Sequence, residues 1–262
     1  MGAGAQQSPL PEAPGVGSSL PNRSTERRVE MAKTWLRLAR YGSVALCRLP
    51  ARVVDAANVP RIEALGREMA SVVERDPTSA AKYTDYDRWV PFNVARIGAV
   101  GLHTQKRRRI LDIGCGPGYF MAAALACGHD VYGIDAPESI LTKVEARVYS
   151  EMLGALAIDK RVTPLLIERF KPMALTVGDL DLITAYWICF NRHRQTDEWG
   201  VTEWKFWVDD ARSHLRPGGM LHLELNENPE RYGALRWFDQ ETLDFFRSAG
   251  TVQGGIVRIA KG

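Results

Sequence analysis

The run Ile110-Leu-Asp-Ile-Gly-Cys-Gly-Pro-Gly-Tyr-Phe120 constrains this 262-residue chain more than any other stretch. A short buried strand, Ile110–Ile113, leads into glycines at 114, 116 and 118, and a helix follows from about Tyr119 to Cys127. Glycines at such a place let the backbone turn sharply and approach a ligand closely. Beyond it, strand and helix alternate. Strands are expected at Val131–Ile134, Val162–Ile167, Leu180–Ala185 and Met220–Leu225, with helices at Glu138–Leu153, Thr202–Leu215 and Gln240–Ala249. Thr251–Gln253, the turn Gly254-Gly255 and Ile256–Ala260 close the chain as an antiparallel hairpin. The expectation is an α/β fold: a doubly wound, seven-stranded, mostly parallel sheet with helices on both faces.

The glycine loop also narrows the ligand. A dinucleotide fingerprint needs Gly or Ala at 119, where this chain has Tyr119. A phosphate-binding P-loop needs Gly-Lys-Ser/Thr, which is missing. Asp112, at the strand's end, would repel a diphosphate and suits a cationic group. Asp135 ends the next strand 23 residues further on, where an acidic side chain accepts hydrogen bonds from ribose hydroxyls. The ligand therefore reads as a nucleoside with a positive, non-phosphate tail, a description that S-adenosylmethionine meets.

On these residues, together with Asp181-Leu-Ile-Thr-Ala-Tyr186 and the turn Arg216-Pro-Gly-Gly219, the chain resembles the class I S-adenosylmethionine-dependent methyltransferases from about residue 80 onward. The resemblance implies a Rossmann-like methyltransferase fold and S-adenosylmethionine as cofactor. It implies that Gly114, Cys115, Gly116 and Gly118 line the methionine side and that Asp112 faces the ammonium. Asp135 would hold the ribose hydroxyls, Ala136 would lie against the adenine, and Tyr186 would border the cofactor. Glu168 is the nearest candidate for the adenine amino group, and Lys82 and Tyr83 stand where a lid would close, with core packing as an equal reading of Tyr83.

Ligands of open parallel sheets lie outside the carboxyl ends of the strands. The segment after the fourth strand, Tyr186 to His193, is therefore expected to face the transferring methyl, with Trp187, Phe190 and Asn191 as substrate contacts. It lacks the Asn/Asp-Pro-Pro-Tyr/Phe pattern of enzymes that methylate base or glutamine amino groups. His193 is the candidate catalytic base if the acceptor is a hydroxyl; a structural histidine is the alternative. His214 and His222 suit that role less. Trp199, Trp204 and Trp207 read as core, and Glu224 and Asn226 could reach the acceptor pocket. No metal site is expected. The expected function is methyl transfer to a small-molecule, sugar or lipid-linked acceptor; the alternative is a non-catalytic cofactor-binding scaffold acting through N-terminal helices.

Residues 1–29, rich in Gly, Pro and Ser, read as a disordered tail, 30–79 as a helical extension and 80–262 as the methyltransferase domain. Positive charge collects at the front: residues 1–60 hold eight basic and four acidic side chains, against 26 and 27 in the remainder. Neutrality of the main domain argues against a nucleic-acid partner. Residues 30–57 read as a basic amphipathic helix with a break or bend at Pro50, packed on the domain or in a homodimer, or else touching a membrane peripherally. Four cysteines without paired spacing fit a reducing compartment, so a cytoplasmic enzyme is expected.

Overall fold

The computed structural model describes residues 44–188, 199–226 and 238–262. Helix α1 spans Val44–Ala56 and α2 spans Val59–Arg75. The Asn58 side chain caps α2 by accepting the Arg61 N–H at 3.2 Å. Pro50 does not break α1, which runs through it. Leu46, Leu49 and Val53 are buried on the domain's core; at about 1.5–3 kcal/mol each, that burial outweighs the roughly 3 kcal/mol an interior proline costs. Residues 80–99 form two helical pieces. A 3-10 turn, Ala80–Thr84, ends at Asp85, and α3 runs from Tyr86 to Ala99. The Trp89 indole N–H donates to the Lys82 carbonyl at 2.9 Å and ties the two together.

The sheet begins with β1 (Arg109–Ile113), followed by α4 (Tyr119–Ala126) and β2 (Asp130–Asp135). The next expected helix also divides. A 3-10 turn over Glu138–Ile140 precedes α5 (Lys143–Ala155), which starts late because Thr142 and Glu145 form a capping box. β3 is shorter than expected, Val162–Pro164, and β4 is longer, Leu180–Ile188. Then come α6 (Val201–Ser213), β5 (Leu215–Leu225), α7 (Gln240–Ala249), β6 (Thr251–Gln253) and β7 (Ile256–Ala260). β5 starts five residues before the expected strand. The Arg216–Gly219 turn lies within it as an irregularity, since Leu180 pairs with Leu215 and Leu182 with Met220.

The strand order is β3-β2-β1-β4-β5-β7-β6, parallel through β5 and antiparallel for β7 and β6. One face packs Ile110, Val131 and Leu182 against α1 to α5. The other packs Ile113, Ile183 and Leu223 against α6 and α7, where Trp204, Trp207 and Phe246 are fully enclosed. The N-terminal helices thus share one core with the sheet. Among the described residues no helix is long and apolar enough to cross a membrane.

Candidate functional site

Every crossover leaves its loop at the carboxyl end of a strand, and there the ends of β1, β2 and β4 surround a cavity. Asp112, Gly114, Cys115, Gly116, Asp135, Ala136, Tyr186 and Trp187 all line it, so most of the expected residues are brought together. Gly118 is not among them. It stands at φ +81°, and a Cβ on it would lie 2.3 Å from Ile158 Cδ1 and 2.8 Å from Leu153 Cδ2. Its missing side chain makes room for the core, and it does not line the cavity. Gly114 and Gly116 also hold positive φ, +69° and +52°, but they face space. A Cβ on Gly114 would meet nothing within 4 Å, and one on Gly116 only the Tyr149 ring.

The two aspartates are held differently. Asp135 accepts the N–H of Gly116 on one oxygen and that of Ala136 on the other, at 2.7 Å for the latter. Burial raises its pKa, partly offset by these two hydrogen bonds. Asp112 accepts the Thr184 hydroxyl at 2.7 Å from neighbouring β4. Burial pushes its carboxyl up to about 7, against the lowering effects of Thr184 and the Arg96 charge. Because the folded value exceeds the unfolded one, the stabilising effect of the neutral form is fully present below about pH 4 and lost as pH rises through about 7. Relative to Asp112→Asn, which can still accept from Thr184, the wild type should lose up to about 4 kcal/mol of stability over that window. Parallel denaturant curves for both proteins at pH 5 and pH 8 check this; a constant difference would contradict it.

Tyr119 occupies the place of the third glycine of a dinucleotide fingerprint. It is buried, and its hydroxyl donates to the Tyr83 carbonyl at 2.7 Å. Tyr83 lines the cavity, whereas Lys82 does not; its ammonium donates to the Thr78 carbonyl and lies 5.0 Å from the Tyr83 ring centroid. Glu168 pairs with Lys171 and is not part of the wall, where Ala136, Ile140 and Leu165–Ile167 provide an apolar side. Burial raises the Cys115 thiol well above its ordinary range, so it stays protonated. Trp199, Trp204 and Trp207 are core, as expected. His222 is buried beside Arg258 and held neutral, with its pKa lowered to about 4 mainly by desolvation. Cys189, Phe190, Asn191, Arg192 and His193 lie outside the described residues, as does Pro229–Gly233. No cluster able to hold a metal occurs among the described residues.

Arg96 is the site residue that sequence reasoning missed. It is the one cation among the described lining residues, which also include the carboxylates of Asp112, Asp135 and Glu145. Its side chain is 13% exposed and ion-pairs with Glu224 at 3.0 Å. The guanidinium lies 4.1 Å from the Tyr186 ring centroid and 4.7 Å from those of Phe92 and Trp187. The available signal was the i, i+4 spacing of Phe92 and Arg96 on an aromatic helix.

The strand order and the reversed β7 define the Rossmann-like fold of class I methyltransferases. No family model matches the chain, and no curated protein does. Solved structures with similarity include an S-adenosylmethionine-dependent methyltransferase from Clostridium acetobutylicum, 14% identical over 64% of this chain and 61% of that one, TM-score 0.41. An O-methyltransferase from Thermotoga maritima is 18% identical over 59% and 49%, TM-score 0.37. The amino pentose methyltransferase CalS10 from Micromonospora echinaspora is 22% identical over 54% and 52%, TM-score 0.37. The chain spans about half to three fifths of the length of these structures.

Proposed function

We propose that this protein is an S-adenosylmethionine-dependent methyltransferase acting on a small-molecule, sugar or lipid-linked acceptor. The observation that carries the reading is the cavity at the carboxyl ends of β1, β2 and β4, where two glycines of positive φ open beside one buried carboxylate, Asp112, and one half-buried carboxylate, Asp135. The residues present fit the cofactor. Gly114 and Gly116 leave the space a close-lying chain of atoms needs. Asp112 is buried without a hydrogen-bonding cation, as suits an incoming ammonium. Asp135 is fixed by two backbone donors and keeps lone pairs for ribose hydroxyls. The apolar wall from Ala136 to Ile167 suits a purine. A nicotinamide dinucleotide fits poorly, because Asp112 and Tyr119 stand where its diphosphate and third glycine would be.

When bound, S-adenosylmethionine supplies a methyl group on a positively charged sulfur, open to in-line displacement. The chain's part is to align the acceptor and exclude water. Tyr186, Trp187 and Arg96, the last ion-paired with Glu224, line the cavity and are proposed as the described part of the acceptor wall. His193, Phe190 and Asn191 are proposed to complete it, with His193 receiving the proton of a hydroxyl acceptor. A cytoplasmic location and a homodimer are proposed on sequence grounds alone. Peripheral membrane contact through 30–57 would have to use exposed Arg48 and Arg52 in its described part, because Leu49 and Val53 are inside.

Incubation with methyl-labelled cofactor and a metabolite extract tests the assignment. Label should move to a low-molecular-weight product. Intact cofactor binding with no transfer to any fraction would favour the scaffold alternative.

A further inference from the structure

Thr184 is fully buried in the middle of β4, level in the sheet register with Asp112 on β1 and His222 on β5. Arg258 on β7 continues the row, so four polar side chains cross the sheet side by side. A central parallel strand is ordinarily apolar at such a position, and valine would fill the same shape. The hydroxyl is therefore the feature to explain. It donates to Asp112 Oδ1 at 2.7 Å, while the alternative acceptor, the Leu111 carbonyl, stands at 3.4 Å. His222 is engaged with Arg258, whose Nε donates to its Nδ1 at 3.4 Å.

Asp112 depends on that contact. It is 3% exposed and lines the cavity, and its Oδ2 accepts no hydrogen bond among the described residues. Asp135 on β2 opposes a second negative charge beside it. Arg96 on α3 favours one, but its guanidinium is already paired with Glu224 of β5 at 3.0 Å. Cys115 of the glycine loop, Tyr119 of α4 and Tyr186 of β4 are kept protonated by burial, and His222 is kept neutral. Burial thus holds the Asp112 carboxyl up at about 7 in spite of Thr184 and Arg96. A donating hydroxyl favours the ionised carboxylate, the form that an ammonium needs. With Oδ1 fixed by Thr184, Oδ2 is left for the ligand.

We propose that Thr184 is a positioning residue of the cofactor site: its hydroxyl fixes Asp112 as the ionised acceptor of the cofactor's ammonium, and binding at acidic pH releases the Asp112 proton to solvent. This rests on the methyltransferase reading above. The test is calorimetric titration of S-adenosylhomocysteine, whose ammonium stays charged throughout, into the full chain from about pH 5.5 to about pH 7.5, in two buffers of different ionisation enthalpy. Wild-type affinity should fall towards a loss of about tenfold per pH unit below about pH 7, with about one proton released per ligand near pH 6. Thr184→Val should move the onset of that loss up by about one pH unit and so weaken binding about tenfold near pH 6. Thr184→Ser should recover both, and Asp112→Asn should bind weakly with no such pH dependence. A merely structural defect would lower affinity equally at every pH. Should Thr184→Val not fold, Thr184→Ala carries the same expectation. A level wild-type affinity across the range, or an unshifted onset in the variant, overturns the proposal. Failure of S-adenosylhomocysteine to bind the folded wild type sinks the methyltransferase reading instead. Infrared titration of the Asp112 carboxyl, with Asp112→Asn as blank, then decides the Thr184 contact separately: a higher midpoint in Thr184→Val supports it and equal midpoints overturn it.

Discussion

Gly118→Val should cost this protein about 3–5 kcal/mol of stability and lower its Tm by roughly 10 °C, with loss of soluble yield. Two effects add. Valine at φ +81° is strained whatever surrounds it, and its Cβ would press on Ile158 and Leu153, both set in the packed layer between sheet and helices. The turn at Gly118 is also where α4 begins, so backbone relief would tilt the helix that carries Phe120 and Met121 into the core. Thermal unfolding followed by circular dichroism gives the answer, and a Tm within 2 °C of wild type would refute the packing role.

Gly116→Leu should do the reverse. Its backbone strain at φ +52° costs about 1–2 kcal/mol, yet the added side chain points into the cavity, with only the Tyr149 ring near at 3.8 Å. The fold should survive with a Tm a few degrees lower, while cofactor affinity falls by more than about 100-fold, because leucine fills the space the ligand needs. The Gly116 N–H donates to Asp135, so any shift of the loop also disturbs the carboxylate expected to hold the ribose.

The contrast between these two glycines shows what the sequence could and could not convey. Spacing placed 114, 116 and 118 in one loop, but whether a missing side chain makes room for a ligand or for Ile158 depends on contacts made 40 residues away. The alternation of strand and helix was legible because buried parallel strands are short apolar runs, and the terminal hairpin was legible residue by residue because Gly254-Gly255 forces a two-residue turn. Helix starts were less so: the Thr142-Glu145 capping box starts α5 later than the expected Glu138, and the break at Asp85 is bridged by a Trp89 hydrogen bond that no local pattern reveals. Strand β4 outran its expected end because Tyr186 and Ile188 continue the pairing on either side of a bulge at Trp187. Arg96 had only its i, i+4 spacing from Phe92 to mark it, since its partner Glu224 lies 128 residues further along the chain.

The measurement that bears most directly on the central claim is titration of S-adenosylmethionine into the full wild-type chain by calorimetry, with NAD and the Gly116→Leu and Asp135→Ala proteins run alongside. One molecule of S-adenosylmethionine per chain should bind, Asp135→Ala should weaken it by about 1–3 kcal/mol, Gly116→Leu should abolish it, and NAD should give no heat. No binding of S-adenosylmethionine by the folded wild type, or binding of NAD in its place, would contradict the account.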